Sequence, residues 1–124
     1  MKTHKEIFRA ISRILPSLDN IAISKEPFLL EREGEAPLNV HVVERKGHET
    51  VLALCQYPHS EWGDPVPSPD VEFRLDHTEK EAFPMVCIDR NGRTDLDEKF
   101  RRKNMGEAMD MDNCILSWLL RLEK

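Results

Sequence analysis

Several features that would assign a class are scarce or missing. No apolar run approaches the roughly 20 residues a membrane-spanning helix needs. The opening segment Met1-Lys2-Thr3-His4-Lys5-Glu6 lacks the apolar stretch of a secretory signal. Cysteine is rare: Cys55, Cys87 and Cys114 cannot all pair within one chain, and none stands in a C-x-x-C arrangement. They read as reduced thiols serving as small core residues in a cytoplasmic protein. The five glycines are scattered and form neither a G-x-G-x-x-G nor a Walker pattern, so no phosphate loop is expected. Basic residues are outnumbered, 18 against 23 acidic, for a net charge of −5. That balance disfavours a general nucleic-acid binder.

What remains is a chain of 124 residues, 40% apolar and 33% charged, long enough for one ordinary core. Residues 1–124 read as a single globular domain with no internal repeat or linker. Thr3-x-x-Glu6 matches a helix capping box. Ile7, Phe8, Ile11, Ile14 and Leu15 then follow on one helical face. Pro16 disfavours helical geometry at Leu15, so the first helix is expected over about 4–15.

The middle of the chain reads as strands. Ile21 and Ile23 alternate with polar neighbours and Phe28-Leu29-Leu30 follows Pro27, so a short strand fits one or both places. The Glu- and Gly-rich stretch from Glu31 to Pro37 reads as a turn. Leu38, Val40 and Val42 alternate with Asn39 and His41. Lys46-Gly47 supplies a turn, and Thr50 to Tyr57 reads as a central strand because its middle is apolar on both faces. Residues 58–69 hold Pro58, Pro65, Pro67 and Pro69, which no sheet ladder tolerates, so they form a long stiff loop. Val71, Phe73 and Leu75 alternate with Glu72 and Arg74. Phe83 to Asp89 gives the next strand, with Pro84 at an edge or a bulge. Asn91-Gly92 favours a tight hairpin turn into a short return strand over 93–97.

A charged stretch with Lys99, Arg101, Arg102 and Lys103 reads as solvated. Met111, Cys114, Ile115, Trp118, Leu119 and Leu122 then fall on one face of a second helix, capped by Asp110 or Asp112. The expected architecture is α+β: an N-terminal helix, an antiparallel sheet of about four to five strands, and a C-terminal helix packed on one face. The sheet face carrying Val40, Val71, Phe73 and Met85 is the expected floor for both helices.

Two sets of residues suggest chemistry. Trp62 in the Pro-rich loop can act as an aromatic anchor, with Tyr57, His59 and Asp64 beside it as a candidate binding surface. The bland alternative is that Trp62 folds back over the core. His59, Glu61, Asp64 and Asp70, with Glu72 and His77 beyond them, can instead ligate a divalent metal and activate a water, although their spacing matches no known ligand motif. The bland reading is a solvated acidic loop. His4, His41, His48 and His77 read as solvent-facing, since nothing in the sequence pairs any of them with a nucleophile.

Trp62-Gly63-Asp64, Ser68-Pro69-Asp70-Val71-Glu72-Phe73, Phe83-Pro84 and Asp89-Arg90-Asn91-Gly92 together resemble a family of uncharacterised bacterial proteins often found on phage or plasmid DNA. The similarity covers roughly Ala53 to Leu122 and includes a closing helix with Trp118. Leu15-Pro16, the strand leading to His77 and the final Trp118-Leu119 helix are similar to the YqiB-like family. Both resemblances imply a small α+β domain of unknown function and carry no catalytic residues with them. The expectation is a cytoplasmic binding or accessory module that recognises a protein partner through the loop 57–70, with no cofactor. The alternatives are a metal-assisted hydrolase and a structural subunit of a homodimer.

Overall fold

The structure is a computed structural model and describes residues 2–15, 28–30, 38–56, 70–89 and 92–122. Helix α1 spans Lys2–Ile14 and buries Ile7, Phe8 and Ile11, as their spacing requires. Its end follows from Pro16: Leu15 donates a last backbone bond to Ile11 at 2.8 Å and the helix stops. Its start differs from expectation. Lys2 and Thr3 are already helical, so Thr3 lies within the first turn and not at the extended position a capping side chain occupies.

Six antiparallel strands follow: β1 (Phe28–Leu30), β2 (Leu38–Lys46), β3 (Glu49–Gln56), β4 (Asp70–Asp76), β5 (Glu81–Asp89) and β6 (Gly92–Asp95). They pair in chain order as a meander. The sheet exceeds the expected four to five strands because both short edge segments, β1 and β6, join it. Ile21 and Ile23 and the turn over 31–37 lie outside the described residues. Gly47 takes the left-handed conformation (φ 60°) in the tight β2–β3 turn, where Lys46 pairs with Glu49. The β4–β5 turn is held by Asp76, whose Oδ1 accepts from the Thr78 and Glu79 amides at 2.9 and 3.0 Å. Those bonds, led by the Glu79 amide, hold the Asp76 carboxyl below its ordinary pKa.

One sheet face is the core floor. Leu38, Val40, Val42, Leu52, Leu54, Val71, Phe73 and Leu75 are all fully buried in a single cluster with the helices. Each large side chain so removed from water contributes about 2 kcal/mol. On the opposite face His41, Ala53 and Glu72 stand side by side in register.

Two irregularities set which residues point inward. Val42 pairs with Leu52 and Glu44 with Val51, leaving Val43 as an extra, exposed residue. In β5, Phe73 pairs with Pro84 while Glu72 pairs with Val86, so Met85 is the extra residue. Pro84 thus sits at a bulge, as its missing N–H demands. The same bulge corrects the expected core face: Met85 is only half-buried, and Ala82 and Cys87 take the inward positions.

The chain then turns into α2 (Glu98–Lys103), whose N-cap Asp97 accepts from the Phe100 amide at 2.8 Å. Helix α3 spans Met105–Leu122 and packs against α1. It begins a turn and a half before the expected start, so neither Asp110 nor Asp112 is a cap. No helix among the described residues is long and apolar enough to cross a membrane.

Candidate functional site

The expected binding residues Tyr57, His59, Trp62 and Asp64, and the alternative metal ligands His59, Glu61 and Asp64, lie outside the described residues. Asp70 is described. It opens β4 between Cys55 and Ile88, and burial raises its carboxyl pKa. His77 stands beyond the far end of the same strand, roughly 20 Å away at about 3.3 Å per residue, too far to share an ion with Asp70. Among the described residues, no group of three or more His, Cys, Asp or Glu side chains could hold a metal.

Of the histidines expected at the surface, His4 is buried and His77 is half-buried. His77 Nε2 lies 2.7 Å from the buried Thr50 hydroxyl, and its ring meets the Phe8 ring edge-on at 5.9 Å. His4 is buried between α1 and α3, with Nε2 3.0 Å from Asp112 Oδ2. Asp112 also receives a two-pronged grip from Arg101, NH1 to Oδ2 at 2.8 Å and NH2 to Oδ1 at 3.0 Å. Burial alone pushes the Asp112 carboxyl up, but the bonds from His4 and Arg101 and the Arg101 charge outweigh it and leave the pKa below its ordinary value. Asp112 is therefore an acceptor only, and His4 Nε2 donates.

Arg101 uses two further donors on backbone. Nε donates to Leu96 O at 3.1 Å and NH2 to Pro84 O at 2.8 Å. β6 pairs with Val86–Asp89, so among the described residues the first half of β5 has no strand on that side, and Arg101 bonds to Pro84 there. Phe83 stacks against His4 with ring centroids 4.6 Å apart, and Arg74 lies 4.9 Å from the Phe83 centroid. The cluster fastens α1, α2, α3 and β5 together. With His4 5% and Asp112 1% exposed, the centre of the cluster is closed and acts as a structural tie, while a concavity of about 520 Å³ opens beside its outer members Arg74, Phe83 and Arg101.

Part of this was readable. His4 precedes Ile7, Phe8 and Ile11 at core spacing, and Asp112 falls in phase with Ala108, Ile115 and Leu119. A charged residue in the core phase of a helix implies a buried partner. Nothing in the basic run distinguishes Arg101 from Arg102, which stays exposed.

A concavity with mostly apolar walls runs along α3. It measures about 340 Å³ and is bounded by Cys87 of β5 and by Met111, Cys114, Ile115 and Trp118. Glu107, Asp110 and Arg121 stand at its border. The helix explains its shape: Ile115, Trp118, Leu119 and Leu122 turn into the core, whereas Met111 and Cys114 lie on the adjoining flank. Cys114 is accordingly exposed, and Cys55 is half-buried, against the expectation that all three thiols are core. The Trp118 indole N–H is buried with no acceptor among the described residues. Cys87 pairs with Val71, next to Asp70 where residues 57–69 rejoin the sheet.

No family model, no curated protein and no solved structure matches the chain.

Proposed function

We propose that the protein is a binding module whose recognition surface includes the groove along α3. The observation that carries this reading is the Trp118 indole: a buried donor with no described partner, beside an apolar concavity of about 340 Å³. An unpaired buried N–H costs about 1–3 kcal/mol, which a ligand carbonyl would recover if the indole turns toward the groove on binding. The groove is within the size range of small-ligand sites, which are mostly apolar with a few polar groups that fix orientation. A peptide segment presenting one large apolar side chain and its own carbonyl matches both features. The charged border at Glu107, Asp110 and Arg121 would fix its direction.

The expected loop surface at Tyr57, His59, Trp62 and Asp64 belongs to the same proposal. Its re-entry point at Asp70 adjoins the groove wall at Cys87. A protein partner bridging loop and groove would be held at two points.

Titration with anilinonaphthalene sulfonate, an apolar dye with one charge, tests the groove. The expected result is saturation at one dye per chain, abolished by Cys114→Trp, which fills the space from an exposed position. Undiminished dye binding in a folded Cys114→Trp variant would refute the reading.

A further inference from the structure

A second concavity carries a net positive charge. It measures about 530 Å³ and lies between α1 and the β4–β5 turn. Lys5, Phe8, Arg9 and Ser12 line it from the helix, and Glu79 and Lys80 from the turn. The chain as a whole is acidic, at −5. Helix α1 departs from this, as α2 does, with Lys2, Lys5, Arg9 and Arg13 against the single acid Glu6. Lys2, Lys5 and Arg9 recur at helical spacing on the side opposite the core residues Ile7 and Ile11, and all three are exposed.

The third cation is delivered by the backbone. Lys80 adopts φ 54°, a left-handed conformation that a lysine takes up at a cost. A glycine or asparagine would close this turn more easily. The side chain it carries instead lines the groove facing Lys5 and Arg9. Among the described residues, Lys5, Arg9 and Lys80 form no ion pair, whereas Arg74, Arg93, Arg101 and Arg102 each do. Phe8, buried and edge-on to His77, gives the groove an apolar floor. Ser12 already donates its hydroxyl to Phe8 O at 2.9 Å, so it offers only lone pairs and contributes no donor.

We infer that this groove binds a phosphate monoester or diphosphate group. Three cations and the single carboxylate of Glu79 leave an uncompensated charge of about +2, which matches the charge of a phosphate monoester near neutral pH. A carboxylate ligand would neutralise only half of it. Arg9 supplies a planar fork and the two lysines supply point charges, the combination that holds phosphate oxygens. The volume suits a small molecule or a lipid headgroup and not a duplex nucleic acid, which the net charge also opposes. This site stands apart from the α3 groove and does not depend on it.

Amide chemical-shift titration with pyrophosphate at low salt tests the site. Saturable shifts confined to Lys5, Phe8, Arg9, Glu79 and Lys80 are expected. The double variant Lys5→Gln, Arg9→Gln should weaken binding by at least about tenfold, because both residues are exposed and glutamine keeps the helix. The control Lys99→Gln, Lys103→Gln, also exposed, should leave affinity unchanged. Sedimentation with phosphatidic-acid vesicles, lost in the double variant, would assign the phosphate to a lipid headgroup. Pyrophosphate binding without sedimentation would assign it to a soluble ligand. No saturation by about 10 mM pyrophosphate, or equal affinity in the double variant, overturns the inference.

Discussion

Replacing Asp112 with alanine should cost about 3 kcal/mol of folding stability. The carboxylate is the shared acceptor of His4 and Arg101, at 2.8–3.0 Å throughout. Its removal leaves the His4 N–H buried without an acceptor. It also strips the guanidinium of its counter-ion while the bonds to Leu96 O and Pro84 O still hold it in place. Breaking a buried pair costs about 3–5 kcal/mol. Two effects pull the figure toward the lower end: the Arg101 side chain is 22% exposed and can recruit water, and alanine is the better helix former by about 0.5 kcal/mol. For a chain of this size the loss lowers the melting temperature by about 10–18 °C. Asp112→Asn keeps the shape but only one good acceptor, and should fall between. Replacing all three groups with apolar residues (His4→Phe, Arg101→Met, Asp112→Leu) should recover much of the loss, since no charge is then left buried. Urea and thermal unfolding of the four proteins measure this. A loss under about 1 kcal/mol for Asp112→Ala, or a triple variant less stable than the single one, would refute the account of the cluster as a mutually satisfied tie.

The Asp112 pKa is depressed in the folded state, so the unfolded chain takes up the proton first. Its contribution should be complete above about pH 4 and lost as pH falls through the lower folded value, and Asp112→Asn should flatten this part of an acid-unfolding curve. Asp70 has the opposite sign: burial raises its pKa, so its ionisation opposes folding as pH rises through about 4. Asp70→Asn should therefore raise stability at neutral pH by less than about 1 kcal/mol, with the gain gone near pH 3. Lys80→Gly relieves the left-handed backbone and should stabilise the protein by about 1 kcal/mol in thermal unfolding while weakening pyrophosphate binding. A maleimide should label Cys114 rapidly in the native protein and reach Cys87, buried beneath α3, only on unfolding, as timed mass spectrometry would show.

The periodic parts of the chain were legible residue by residue. Val71, Phe73 and Leu75 announce β4 with its true bounds, and Ile7, Phe8 and Ile11 announce the buried face of α1. Pro84 announces an edge or a bulge because a missing N–H has few places in a sheet, and the register makes it a bulge. What escaped is what depends on contacts between distant segments. The extra residue Met85 looks inward by alternation and is turned aside by register with Glu72 and Phe73. Arg101 looks solvated within its run and is drawn inward by Asp112, eleven positions later. The two concavities arise between elements, so no local pattern marks them. The Pro-rich stretch whose composition suggests recognition carries its candidates Tyr57, His59, Trp62 and Asp64 outside the described residues.

The bond between His4 and Asp112 spans 108 positions of chain. On a ribosome adding about 5–20 residues each second, the first helix emerges roughly 5–20 s before its partner exists. For that interval Ile7, Phe8 and Ile11 have no α3 to cover them, while the sheet behind them can close hairpin by hairpin in microseconds. Charge on the exposed Lys2, Lys5 and Arg9 then opposes association of that early, sticky helix until α3 arrives to cover its other face.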